Sequence, residues 1–133
     1  MSPRAAAIRI LWALPWTLFG LAIGLLGLAT GGRCRRIGRT LEFWGGLTTA
    51  FLRHFPLAKG VSAVTFGHTI LGCGPEELDR VRPHEMVHVR QYERWGPMLV
   101  PAYLFHWVWL SILRRDPYRE NPFERQAFEE ESE

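Results

Sequence analysis

Gly96 to Leu113 reads GPMLVPAYLFHWVWLSIL, uncharged throughout and closed by Arg114-Arg115. At about 18 residues it stands at the lower edge of the length that crosses a bilayer, and whether it crosses decides the fold. On its amino-terminal side lies His84-Glu85-Met86-Val87-His88, and on its carboxy-terminal side Asn121-Pro122-Phe123-Glu124. A crossing would leave these two segments on opposite faces, about 30 Å apart. A loop returning through lipid would strand its backbone polar groups. Pro97 and Pro101 shorten the usable helix and His106 is costly in lipid, while Tyr103, Trp107 and Trp109 suit a core or interfacial helix. The expectation is a helix resting on the membrane surface, with both flanking segments on one side.

Helical positions four apart point the same way, so His84 and His88 can hold one metal ion between them. Glu85 then lies beside the metal, placed to take a proton from a bound water. A hydrolytic zinc site needs three protein ligands and one open position, so a third ligand must come from elsewhere. The segment from Asn121 offers a glutamate at the beginning of another helix. Asn121, Pro122 and Glu124 fit equally well an N-cap, a first-turn proline and the N3 acid of a capping box, which needs no metal. Glu120 is the reserve ligand. The motif helix is expected to begin with Pro83 in its first turn, after a polar connection from Pro75 to Arg82, and to stop at Gly96-Pro97.

His84, Glu85, His88, Gln91 and the later Asn121-Pro122-Phe123-Glu124 with Ala127 together resemble the gluzincin class of zinc metallopeptidases, in which a second helix contributes a glutamate. More closely they resemble small bacterial membrane-associated proteins with a His-Glu-x-x-His-x-x-Gln helix and a later Asn-Pro-Phe-Glu-x-x-Ala segment. The matching pieces, 82–96 and 118–127, cover about a fifth of the chain. The resemblance implies zinc held by His84, His88 and Glu124, Glu85 as general base, and Ala127 as the small residue that lets the two helices approach. The chain departs from many gluzincins in lacking an acid shortly after the glutamate ligand to hydrogen-bond a ligand histidine. Gln91 is a candidate substitute by position.

Ile10 to Thr30 is a further uncharged run of about 21 residues, long enough to span a bilayer as a helix. Trp12 and Trp16 suit an interfacial aromatic belt, and Pro15 is a possible kink. Arg33, Arg35, Arg36 and Arg39 follow the run where a signal peptide would carry a small-residue cleavage site, so it reads as a retained anchor. The same arginines, against Arg4 and Arg9 before the run, place the rest of the chain in the cytoplasm.

Thr40 to Leu47 and Val61 to Leu71 are rich in Val, Thr, Phe and Ile and read as two or three short strands. On the best of them, Ala63 to Leu71, Val64, Phe66, His68 and Ile70 share a face. His68 then either looks into the site or is a half-buried strand histidine. Metallopeptidases commonly bind an extended peptide along a strand edge beside the metal helix.

At 133 residues, 47% of them hydrophobic, the chain supports one small packed domain and excludes global disorder. Its 16 basic residues are spread along the chain without a nucleic-acid module, so nucleic-acid binding is not expected, whereas an anionic lipid surface fits. Cys34 and Cys73 read as two reduced thiols, with one disulfide the other option.

The expected fold is α+β. Residues 1–32 form an N-terminal transmembrane anchor, and 33–133 a zincin-like metal-binding domain. That domain has a short antiparallel sheet or hairpin, the HExxH helix and a C-terminal helix carrying the third ligand. The expected function is a membrane-anchored zinc metallohydrolase acting on peptides or proteins through Glu85. His68, Tyr92, Tyr103 and Tyr118 are eligible to stabilise the oxyanion. The alternative is a non-catalytic membrane protein with a structural metal or a partner-binding role, marked by a coordination shell closed with a fourth protein ligand.

Overall fold

α1 (Pro3–Ala29) is the amino-terminal apolar run, capped by the Ser2 hydroxyl, which accepts from the Ala5 amide at 3.1 Å. The computed structural model describes residues 2–57 and 60–131. With 27 residues α1 extends about 40 Å, and it is long and apolar enough to cross a membrane. It does not stand apart from the rest. Gly20, Gly24 and Gly27, on one face, let it lie directly against Thr69, the Phe43 ring and Thr48. A Cβ on Gly24 would sit 2.6 Å from the Phe43 ring. Gly24→Leu is therefore expected to cost about 3 kcal/mol through overpacking, read by denaturant unfolding in micelles. Unchanged stability would show that α1 is only loosely laid on the sheet.

The strands are β1 (Arg33–Ile37), β2 (Thr40–Trp44), β3 (Ala63–Phe66) and β4 (Thr69–Gly72), in the order β1-β2-β4-β3. The expected antiparallel sheet is in fact mixed: two antiparallel hairpins, β1/β2 and β3/β4, are joined by a parallel β2/β4 pair. The cause is the connection after β2: α2 (Gly46–Arg53), a helix the strand reading did not contain, leads to β3 at the far edge of the sheet, and the β3/β4 hairpin then lays β4 beside β2 in the same direction. The expected single strand from Ala63 to Leu71 is itself corrected. It folds back at Gly67, whose φ of 62° a β-branched or bulky residue adopts only with strain, and where a side chain would strike Thr17. Phe66 and Ile70 consequently fall on opposite faces.

One face of the sheet packs Phe43, Phe66 and Leu71 against α1 and α2, with Trp16 and Leu21 added from α1. The other packs Ala63 and Ile70 against Leu78 and Val89 of α3 (Pro75–Trp95). α3 begins at Pro75 rather than beside Pro83. Pro75 occupies the tolerated first-turn position and Glu76 and Glu77 complement the helix dipole there. Pro83 sits inside the helix and leaves the Asp79 carbonyl without its helical donor. The turn is held from outside instead. Fully buried Glu42 on β2 accepts from Arg82 Nε at 2.7 Å and Arg35 Nε at 2.8 Å, and both arginines also reach Asp79.

α3 ends at Gly96, and a short 3-10 turn (Gly96–Met98) leads into α4 (Leu99–Ile112). At 14 residues α4 is about 21 Å long, too short to cross a bilayer. Beyond it Arg114 takes a φ of 59°, and the chain returns to lay α5 (Pro122–Glu130) on α3, with Ala127 fully buried. Cys34 and Cys73 are both free and exposed.

Candidate metal centre

His84, Glu85 and His88 are all buried on α3, and they form a group that could hold a metal ion. The Nε2 atoms of His84 and His88 both point at one atom of α5, Glu124 Oε1, at 2.9 Å each. The other Glu124 oxygen accepts from the Tyr103 hydroxyl of α4 at 2.7 Å. Glu85 Oε2 lies 4.0 Å from His84 Nε2, while its Oε1 accepts from Thr65 Oγ1 of β3 at 3.0 Å. Sheet, α3, α4 and α5 thus each contribute one wall.

The outer nitrogens of both rings are also held. His84 Nδ1 lies 2.8 Å from Glu131 Oε2, and His88 Nδ1 lies 2.8 Å from Gln91 Oε1. Gln91 donates in turn to the Phe123 carbonyl and to Gln126. Burial disfavours a charge on His88, but Glu124 first, then Glu85 and Gln91, outweigh it and hold the imidazole up to about 9. His84 is raised in the same way, its burial overcome by Glu124 and Glu85. Burial would raise Glu124, but His88, His84 and Tyr103 pull it down to about 2. Burial keeps Glu85 above the ordinary carboxylate range, only partly offset by the two histidines.

This donor set fits a divalent ion. Two imidazole nitrogens and one carboxylate oxygen converge, and each ring is oriented by an acceptor on its far nitrogen. Sequence reasoning anticipated His84, His88, Gln91 and the approach of Glu124, but not Glu131 or Thr65. Glu131 follows Glu124 at i, i+7 on one helical face, two turns on rather than shortly after it. Glu131→Ala is expected to weaken zinc binding about 10- to 100-fold in competition with a chromophoric chelator. Equal affinity would make the contact incidental.

The capping-box alternative for Glu124 does not describe this geometry. Asn121 caps α5, its side-chain oxygen accepting from the Phe123 amide at 3.1 Å, but its own amide donates to Tyr118 O rather than to Glu124. Glu120 is turned away, accepting from the Asp116 amide and pairing with Arg115. His68 is not brought to the cluster. It sits in the β3/β4 turn, where its Nε2 meets Glu93 Oε2 at 2.8 Å, beside Arg39. His106 packs edge-on to Phe105 and Phe123. Of the tyrosines, Tyr92 spends its hydroxyl on Thr65 O and Tyr103 on Glu124.

Tyr118 stands where two depressions meet. One is apolar and runs under α4; the other is an open groove of mixed polar and apolar lining; Glu85 and Tyr118 border both. The chain matches no protein-family model, no curated protein and no solved structure.

Proposed function

We propose that the protein is a membrane-associated zinc peptidase in which His84, His88 and Glu124 hold the ion and Glu85 is the general base. The observation that carries this reading is the convergence of both Nε2 atoms on Glu124 Oε1 beside a carboxylate that faces a cleft. Zinc bound there would supply Lewis acidity and lower the pKa of its water to near 7. Thr65 fixes one oxygen of Glu85, which leaves the other to take the proton of the attacking water and hand it to the leaving amine. Tyr103 and Gln91 keep Glu124 and His88 in place, and Tyr118 is positioned to donate to the developing oxyanion. β3 is an edge strand against the motif helix, which suits an extended peptide backbone as substrate.

α1 seats the protein in the membrane, and the arginines of β1 argue for a cytoplasmic site. One observation favours a second reading. Glu85 Oε2 is near enough to His84 Nε2, at 4.0 Å, to close a purely structural site as a fourth ligand.

The test is metal analysis of protein purified in mild detergent, with turnover of a fluorogenic peptide followed before and after chelation. One zinc per chain is expected, with activity lost on chelation and restored by zinc. A folded preparation without a stoichiometric transition metal would overturn the proposal.

A further inference from the structure

The cleft beside Glu85 has two unlike halves. The first is walled by Leu99, Val100 and Leu104 of α4, Val64 and Phe66 of β3, and Phe55, and it ends on Glu85, His88 and Glu124. The second is mixed: Ser62, Arg80, Asp116, Arg119 and Glu131 share its lining with Val81, Pro83, Pro117 and Phe128. Leu57, Val61 and Ala63 belong to both, so the halves form one trough beside β3, with Glu85 and Tyr118 at the junction. A bond reacting at Glu85 therefore has an apolar neighbour on one side and a partly polar one on the other.

Both walls of the apolar half are backed by surfaces suited to lipid. The outward side of α4 exposes Phe105 (65%), Val108, Trp109 and Ile112 (67%), with no charge between Leu99 and Ile112 and with Arg114 and Arg115 just beyond. On the opposite wall Phe66 stacks on Trp16 and meets Phe19 of α1 edge-on, and the outward side of α1 exposes Leu11, Leu18, Leu25 and Leu26. Trp107 ties α4 across the trough, its indole donating to Leu57 O at 3.0 Å. Apolar exposure on this scale, rimmed by arginine and next to a helix long enough to span, is what a bilayer covers.

We infer that the trough takes its substrate from the membrane: a polypeptide segment at the point where it leaves the bilayer, an apolar side chain bedded under α4 and the polar chain lying in the open groove. The inference rests on the peptidase reading for the cutting step, but not for the binding of the segment. The reaction is hydrolysis of an amide, with water supplying hydroxyl to the acyl carbon and a proton to the leaving nitrogen.

The test uses the full zinc-loaded chain in vesicles of phosphatidylcholine and phosphatidylglycerol. One synthetic peptide joins an apolar membrane-inserting half to a polar half, a second carries the polar half alone, and a third probe is a fatty-acyl nitrophenyl ester. The two-part peptide is expected to be cut at its junction with kcat/KM about 10- to 100-fold above the polar peptide, and Leu104→Glu to erase most of that margin. Zinc content checks that the variant is folded, and Val61→Glu, on another wall, is a second probe with the same expected outcome. A photoreactive apolar residue beside the junction is expected to crosslink within 61–66 or 99–104, a readout independent of turnover. Equal cutting of both peptides would overturn the inference and leave the peptidase reading intact. Crosslinking at those positions without any cutting would uphold the binding and remove the peptidase. Cleavage of the ester with neither peptide bound would overturn the polypeptide assignment.

Discussion

Glu85→Gln is expected to keep its zinc and to lose turnover by about 10²- to 10⁴-fold, the usual contribution of a positioned general base. Glutamine has nearly the same shape, and its oxygen can still accept from Thr65 Oγ1, so the side chain stays where it is. What disappears is the acceptor for the proton of the attacking water. Because this proton moves only in the transition state, kcat should fall with little change in KM. Zinc content and turnover measured on the same preparation separate three cases. Zinc retained with turnover lost identifies the base. Zinc and turnover lost together would make Glu85 a ligand and revive the structural site. Unchanged turnover would remove Glu85 from the mechanism.

Glu42→Gln is expected to cost about 3 kcal/mol, because it leaves Arg35 and Arg82 without their buried anion and with only the exposed Asp79 as an acidic partner. The Glu42 side chain is fully buried, with Arg35 and Arg82 each about a quarter exposed. Burial alone would raise the Glu42 carboxyl, but Arg82 and then Arg35 overcome it and hold the pKa below the ordinary 4.5. A carboxyl depressed in the folded state stabilises fully above its unfolded pKa and loses that stabilisation as pH falls through the folded one. Denaturant unfolding should therefore show stability declining as pH falls below about 4.5, less steeply in the variant. The slope shrinks rather than vanishes, because Glu124 is held at about 2 and Glu93 is also held low, where burial is outweighed by His68 and Arg39. A variant with the parent's acid slope would show that the pair contributes nothing. Since Arg82 stands two positions before His84, weaker zinc binding should accompany the loss.

Local signals carried some elements and failed at others for identifiable reasons. His84 and His88 were legible because a four-residue spacing on a helix is a local fact. The proximity of Glu124 followed from the need for a third ligand and from Pro97, Pro101 and His106, which argue against a crossing, and α4 is too short to cross. Two prolines competed for the start of α3, and Glu76-Glu77 after Pro75 was the deciding signal that the reading passed over. α2 has only eight residues and opens on Gly45-Gly46, which reads as a turn. The parallel pair was invisible because it follows from α2 carrying the chain to the far edge, so that β4 rather than β3 falls beside β2. Glu131, Thr65 and the contact of Glu42 with Arg82 depend on residues distant in the chain, where periodicity says nothing.

The three glycines where α1 touches the sheet have a practical consequence. A recombinant fragment trimmed to begin after Ala29 would bare Phe43, Leu71 and Thr48 to water, stripping one side of the core rather than freeing a soluble catalytic piece. Inclusion bodies are the expected product of such trimming. Any preparation meant to retain the histidine pair in working order has to carry its first helix, and the amphiphile that shields it, through every step.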